Sequence, residues 1–179
     1  MKKAVFGIAK TESQAVAIVD RLKAAGFSNN DVSALFPDQS GSRDFAHEQH
    51  TKAPEGAAAG AGSGVVVGGA LGWLVGIGAL AIPGIGAFIA AGPIMAALAG
   101  AGVGAAAGGI AGALIGLGIP EYEAKRYEGR LKSGNILLSV HTTNSDERDR
   151  AKRIFEECGA EDISYTGEAS VASENKAAQ

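Results

Sequence analysis

Eleven glycines in this chain stand at intervals of four: Gly56, Gly60, Gly64, Gly68, Gly72 and Gly76, then Gly100, Gly104, Gly108, Gly112 and Gly116. Residues four apart lie along one groove of an α-helix, so each ladder strips one helix face of side chains and lets another backbone come close. A step of four overshoots the 3.6-residue turn by about 40°, so the ladder winds around its helix. Such faces favour right-handed helix crossings near −40°. Ala96 and Gly92 extend the second ladder backward, and Ile82-Pro83-Gly84 separates the two. The spacing predicts a glycine-zipper helical hairpin over residues 56–120, with the eleven glycines as helix-packing and oligomerisation positions.

In water each of those glycines costs about 1 kcal/mol relative to alanine inside a helix, so the hairpin needs compensation from elsewhere. Of the chain's 27 glycines, 20 fall in the 65 residues from Gly56 to Pro120, with 19 alanines and no Asp, Glu, Lys, Arg or His. Glycine normally supplies roughly 7% of a chain. A bilayer forces helical structure on such a segment, because the backbone has no water to bond, and small residues then pack helix on helix. As helices, 55–82 and 86–119 would measure ~42 and ~51 Å, beyond the ~30 Å of hydrocarbon. Lys52 precedes the run, and Lys125, Arg126, Arg130 and Lys132 follow it, the arrangement expected of cytosolic flanks. Against two clean spans, the turn Ala81–Ala87 has no polar side chain, and Trp73 lies inside a helix rather than in an interfacial belt. A re-entrant hairpin fits these features as well, as does a tip buried in a soluble oligomer.

The flanks carry all the charge and read as two copies of one unit. In the first, Ala4–Ala9 is a short buried strand, and Thr11 and Gln14 have capping-box spacing. Ala15, Ile18, Val19, Leu22 and Ala25 then form a helical stripe that Gly26 ends, and Val32–Phe36 is a second strand. In the second, Asn135–Val140 is a strand. Ser145-Asp146-Glu147 opens a helix with Ala151, Ile154, Phe155 and Cys158 inward, Gly159 ends it, and Ile163–Thr166 is the last strand. Asp31-Val32-Ser33 is echoed by Asp162-Ile163-Ser164. Two strands cannot bury a helix stripe alone, whereas two copies side by side give a four-stranded sheet with both helices on one face. The expected fold is therefore α+β: a ferredoxin-like four-stranded sheet interrupted by a long Gly/Ala-rich helical hairpin. Its parts are residues 1–38 and 121–168 as the two halves of the domain, 39–55 as a polar linker, 56–120 as the hairpin and 169–179 as a disordered tail. Within the second half, Pro120 opens a further helix with Ala124, Tyr127 and Leu131 on one face.

Little in the chain points to chemistry. A net charge of −3 argues against nucleic acid as a partner. The one cysteine, Cys158, cannot form an internal disulfide and sits on an apolar stripe, as a packed residue rather than a reactive thiol. The apolar run after Lys3 is too short for a signal peptide. His47 and His50 have helical spacing for a metal, but no further Cys or His stands near them, so no metal site is assigned. His141 closes a strand beside Thr142 and Thr143 and reads as an edge residue. GxG patterns near Gly60 and Gly100 lack the strand and acidic residue of a dinucleotide loop. Neither a catalytic residue nor a cofactor is expected.

The stretches Phe45-Ala46-His47-Glu48-Gln49-His50-Thr51-Lys52-Ala53-Pro54-Glu55-Gly56 and Gly118-Ile119-Pro120-Glu121-Tyr122-Glu123-Ala124-Lys125-Arg126-Tyr127-Glu128-Gly129 resemble bacterial heat-induced general stress proteins, also described as low-temperature-induced or glycine-zipper proteins. The resemblance covers most of the chain and implies a stress-associated protein without established catalytic residues. The combined expectation is a non-enzymatic protein in the bacterial cytoplasmic membrane, with its soluble domain facing the cytoplasm and its zipper hairpin associating with lipid and with copies of itself. A soluble homo-oligomer with the hairpins as its core, and a domain that senses a small ligand, are the alternatives.

Overall fold

The computed structural model describes residues 3–37, 74, 78–82, 86–92 and 104–167. In chain order the elements are β1 (Lys3–Ala9), α1 (Glu12–Ala24), β2 (Val32–Pro37), β3 (Gly78–Ile82), β4 (Gly86–Ala91), α2 (Gly104–Gly116), α3 (Glu121–Lys132), β5 (Ile136–Thr142), α4 (Ser145–Glu157) and β6 (Glu161–Gly167). They make an α+β fold around one antiparallel sheet in the order β3-β4-β2-β5-β1-β6.

The flanks form as their patterns dictate. Thr11 Oγ1 accepts from the Gln14 amide at 3.2 Å, while Gln14 Oε1 reaches back to the Lys10 amide at 2.8 Å, one residue earlier than a standard capping box. Asn144 caps α4 in the same way, accepting from Glu147 N at 2.8 Å. Gly26 (φ 90°) and Gly159 (φ 72°) both leave their helices in the left-handed region that glycine enters without penalty. The two copies then lock together, because the other end of the Gln14 side chain donates to the Cys158 carbonyl at the end of α4.

Each face of the sheet buries its own core. On one face, Ile18, Val19 and Leu22 of α1 and Ala151, Ile154 and Phe155 of α4 cover Val5, Val32, Leu138 and Val140. On the other, Ile110 and Leu114 of α2 and Ala124, Tyr127 and Leu131 of α3 cover Phe6, Ile8, Leu35 and Leu137. Strand alternation sends neighbouring residues to opposite cores. The sheet is thus buried on both sides, where the flanking copies alone accounted for one.

The helical hairpin expected over 56–120 is not what the described part of that run forms. Residues 78–82 and 86–91 are strands, with Leu80 opposite Phe88 and Ile82 opposite Gly86. β4 pairs in turn with β2, Ala34 against Ala91 and Pro37 against Phe88. The physical reason is that a charge-free apolar run satisfies its backbone equally well in a ladder, and here β2 offers an edge to pair with. Of the described residues of the run only Gly104–Gly116 is helical, and among the described residues no helix is long and apolar enough to cross a membrane.

Candidate functional site

Of the ladder positions, Gly56, Gly60, Gly64, Gly68, Gly72, Gly76 and Gly100 lie outside the described residues, as do His47 and His50. Gly104, Gly108, Gly112 and Gly116 are all on α2. Gly109 (φ 59°, ψ −154°) interrupts that helix. The break leaves the Ala111 amide in the position of a helix N-terminal donor, and Glu128 Oε2 of α3 accepts it at 3.0 Å. Beyond the break one side of α2 faces the sheet through Ile110, Ala111, Ala113 and Leu114. The other side is open. Gly112 is half-buried, Gly116 exposed, Ile115 42% exposed and Leu117 36% exposed. Among the described residues, a Cβ built on Gly116 would meet no atom within 4 Å, so this rung presses against none of them. The sequence of α2 contains no polar side chain, whereas a surface helix normally carries a polar outer face.

A second feature lies at the opposite edge of the sheet, along β6. Tyr127, fully buried on α3, donates to the Asp162 carbonyl at 2.7 Å, and its oxygen lies 2.6 Å from Ser164 Oγ. Arg130 Nε donates to Asp162 Oδ2 at 2.8 Å, and Arg130 Nη2 lies 3.4 Å from Glu161. Arg126 Nε stands 3.5 Å from Asp162 Oδ1 without hydrogen-bond geometry. These contacts clasp α3 to the edge strand where Asp162 takes a positive φ of 49° and the β1–β6 register shifts between Phe6 and Ile8. Burial pushes the Tyr127 hydroxyl up to about 12, opposed by the Ser164 hydrogen bond.

Beside the clasp a cleft of roughly 390 Å³ opens between α3, β6 and α4. Ile163 and the 59% exposed Tyr165 give it apolar surface beside the buried Val5, and Ser164 lies alongside. Arg148 and Lys152 line the wall contributed by α4, and Glu123 lines the α3 side. The Arg148 guanidinium sits 5.4 Å from the centre of the Tyr165 ring. Glu123 Oε2 is buried without a hydrogen-bond partner. No pattern in the sequence joined these residues, since they come from four elements and only the Asp162-Ile163-Ser164 echo marked β6 at all.

Cys158 packs half-buried against the α1–α4 core, and burial pushes its thiol up, away from the thiolate that reactivity requires. His141 is half-buried on β5 with Nδ1 unpartnered, and Ser139 Oγ, two residues earlier on the same strand face, is also unpartnered. Among the described residues no group of three or more His, Cys, Asp and Glu side chains is placed to hold a metal ion. No family model matches the chain, and no curated protein or solved structure matches it.

Proposed function

We propose that the chain is a non-enzymatic, stress-associated protein that assembles with copies of itself, built on a ferredoxin-like unit. Two arrangements support the unit. The four flanking strands run β6-β1-β5-β2, and α1 and α4, the helices of the two sequence copies, share one face. The association with stress rests on the two motifs around residues 45–56 and 118–129.

The outer side of α2 carries the self-association. Gly112, Ile115 and Gly116 make a smooth apolar strip on a helix with no polar side chain, which Leu117 continues just past its end, and a second helix can approach such a strip closely. A bilayer is the other surface that would cover it. Even if it ran straight through the break at Gly109, the 13-residue α2 would measure about 20 Å, short of the ~30 Å of hydrocarbon, and its inner side is taken by the sheet. A second copy is therefore favoured, which is the soluble homo-oligomer among the sequence alternatives.

The test uses the full-length chain and its Gly116→Leu variant, in which the new side chain leaves from a position that no other described residue crowds but blocks close approach of a partner. Cross-linking and sedimentation should show self-association weakened about tenfold or more, with the thermal midpoint retained. Oligomers of unchanged size would sink the proposal. So would retention of the chain in a carbonate-washed membrane fraction that Gly116→Leu abolishes, since the strip would then belong to lipid.

A further inference from the structure

We propose that β3 is the seam at which two copies of the chain join, its outer edge pairing antiparallel with the β3 edge of a second copy. The seam rests on the reading that the chain assembles with copies of itself. The sheet has an edge strand at each end, β6 and β3, and among the described residues neither pairs with anything on its outer side. The free N–H and C=O groups of such an edge are a template for another chain, so an edge that must stay single carries charges, proline or a bulge. β6 is guarded in that way. Glu161 and Asp162 open it, Asp162 takes a φ of 49°, and its register against β1 shifts between Phe6 and Ile8. The Asp162 carbonyl is also taken, by the Tyr127 hydroxyl.

β3 has none of these devices. Its five residues, Gly78-Ala79-Leu80-Ala81-Ile82, include no charge and no proline, and they pair with β4 in unbroken register from Gly78 opposite Ala90 to Ile82 opposite Gly86. A second β3 suits this edge, because neither strand brings a charge to repel the other. Antiparallel copies of one strand are related by a twofold axis perpendicular to the sheet, so the contact is isologous and closed. The joined sheet ends on a guarded β6 at each side, and growth stops at two copies. α2 packs against β3. The same axis therefore brings both α2 helices onto one face of the joined sheet, on either side of the seam. The α2 strip calls for such a second contact: a stable interface covers roughly 800 Å² of each partner, and Gly112 and Gly116 of the strip have no side chain to contribute.

Cysteines introduced singly into the full-length chain test this: Ala79→Cys and, separately, Ala81→Cys on β3, with Tyr165→Cys on β6, where the native side chain is 59% exposed, as the far-edge control. The wild type, whose one thiol is Cys158, sets the baseline. With a short bis-methanethiosulfonate linker, the β3 variants should give about tenfold or more covalent dimer than Tyr165→Cys or the wild type, since facing residues of paired strands stand side by side. Hydrogen exchange of the wild type at two protein concentrations reads the same edge without a substitution. The amides of 78–82 that point away from β4 should exchange about tenfold or more faster on dilution below assembly, while 161–167 stay unchanged. Dimer yields no greater than those of Tyr165→Cys, in variants that circular dichroism shows to be folded, would overturn the seam. So would β3 protection that dilution leaves unchanged, because the edge would then be covered within its own chain. Gly116→Leu separates the seam from the α2 strip. If it leaves oligomer size unchanged while the β3 cysteines still cross-link, the strip fails and the seam stands; weakened assembly without β3 cross-links means the reverse.

Discussion

Gly92→Ala should destabilise the protein by about 3 kcal/mol or more, the largest effect expected of a single methyl group added at any of the described glycines. Two costs act together. Gly92 follows β4 with φ of 80°, where an L side chain is strained by roughly 1–2 kcal/mol. Its Cβ would also stand 2.2 Å from the Val32 carbonyl oxygen and 2.9 Å from Ser33 Cα. Those are backbone atoms of β2, a strand paired on both sides, so they cannot rotate out of the way. Gly26→Ala separates the two costs. Gly26 has a φ of 90° with no described residue within 4 Å of a Cβ, so its alanine variant carries the backbone strain without such a clash. Urea denaturation should therefore place the Gly92→Ala midpoint well below that of Gly26→Ala, and limited proteolysis should cut first around β3 and β4. Equal midpoints for the two variants would mean that β4 does not dock on β2 as described.

The same residue shows where the sequence was legible and where it was not. Gly92 extends the second glycine ladder backward in a helical reading, yet its physical role is a turn that lets β4 leave β2. A spacing of four is informative only if the segment is already helical. Ile82-Pro83-Gly84 reads as a break between helices but is equally a strand-turn-strand signal, with Phe88 and Ile89 to follow. A continuous apolar run with no polar side chain has no period to choose between strand and helix. In the flanks the choice was constrained. Ala15, Ile18, Val19 and Leu22 alternate with charges at helical intervals, and Thr11 and Gly26 mark the ends, so α1 was legible to within a residue. Burial of Ala124, Tyr127 and Leu131 on α3 was legible for the same reason. That α3 and α2 close the second face of the sheet was not, because the stripe says that a helix is buried and not against what. The cleft and the clasp depend on β6 meeting α3 and α4, a juxtaposition made by topology alone.

Tyr127→Phe should cost about 2–3 kcal/mol at neutral pH, from a change that removes one oxygen atom. The ring still fills its place against Phe6, 6.3 Å between centroids, so the loss is of hydrogen bonds rather than volume. Tyr127 donates to the Asp162 carbonyl and takes up the Ser164 hydroxyl, which is otherwise buried. Phenylalanine leaves both without their partner at the point where Asp162 already holds a positive φ. The effect also has a pH signature of defined sign. The folded hydroxyl titrates at about 12 against 10.0 in the unfolded chain, so the unfolded state loses its proton first. The contribution is complete below pH 10 and is lost as the pH rises from 10 to about 12, where a shift of this size is worth about 3 kcal/mol. Urea midpoints measured from pH 7 to 12 should therefore fall more steeply above pH 10 in the wild type than in Tyr127→Phe, and the two curves should converge near the top of the range. Parallel curves would place the Tyr127 hydroxyl in water and remove the clasp that ties α3 to the edge of the sheet.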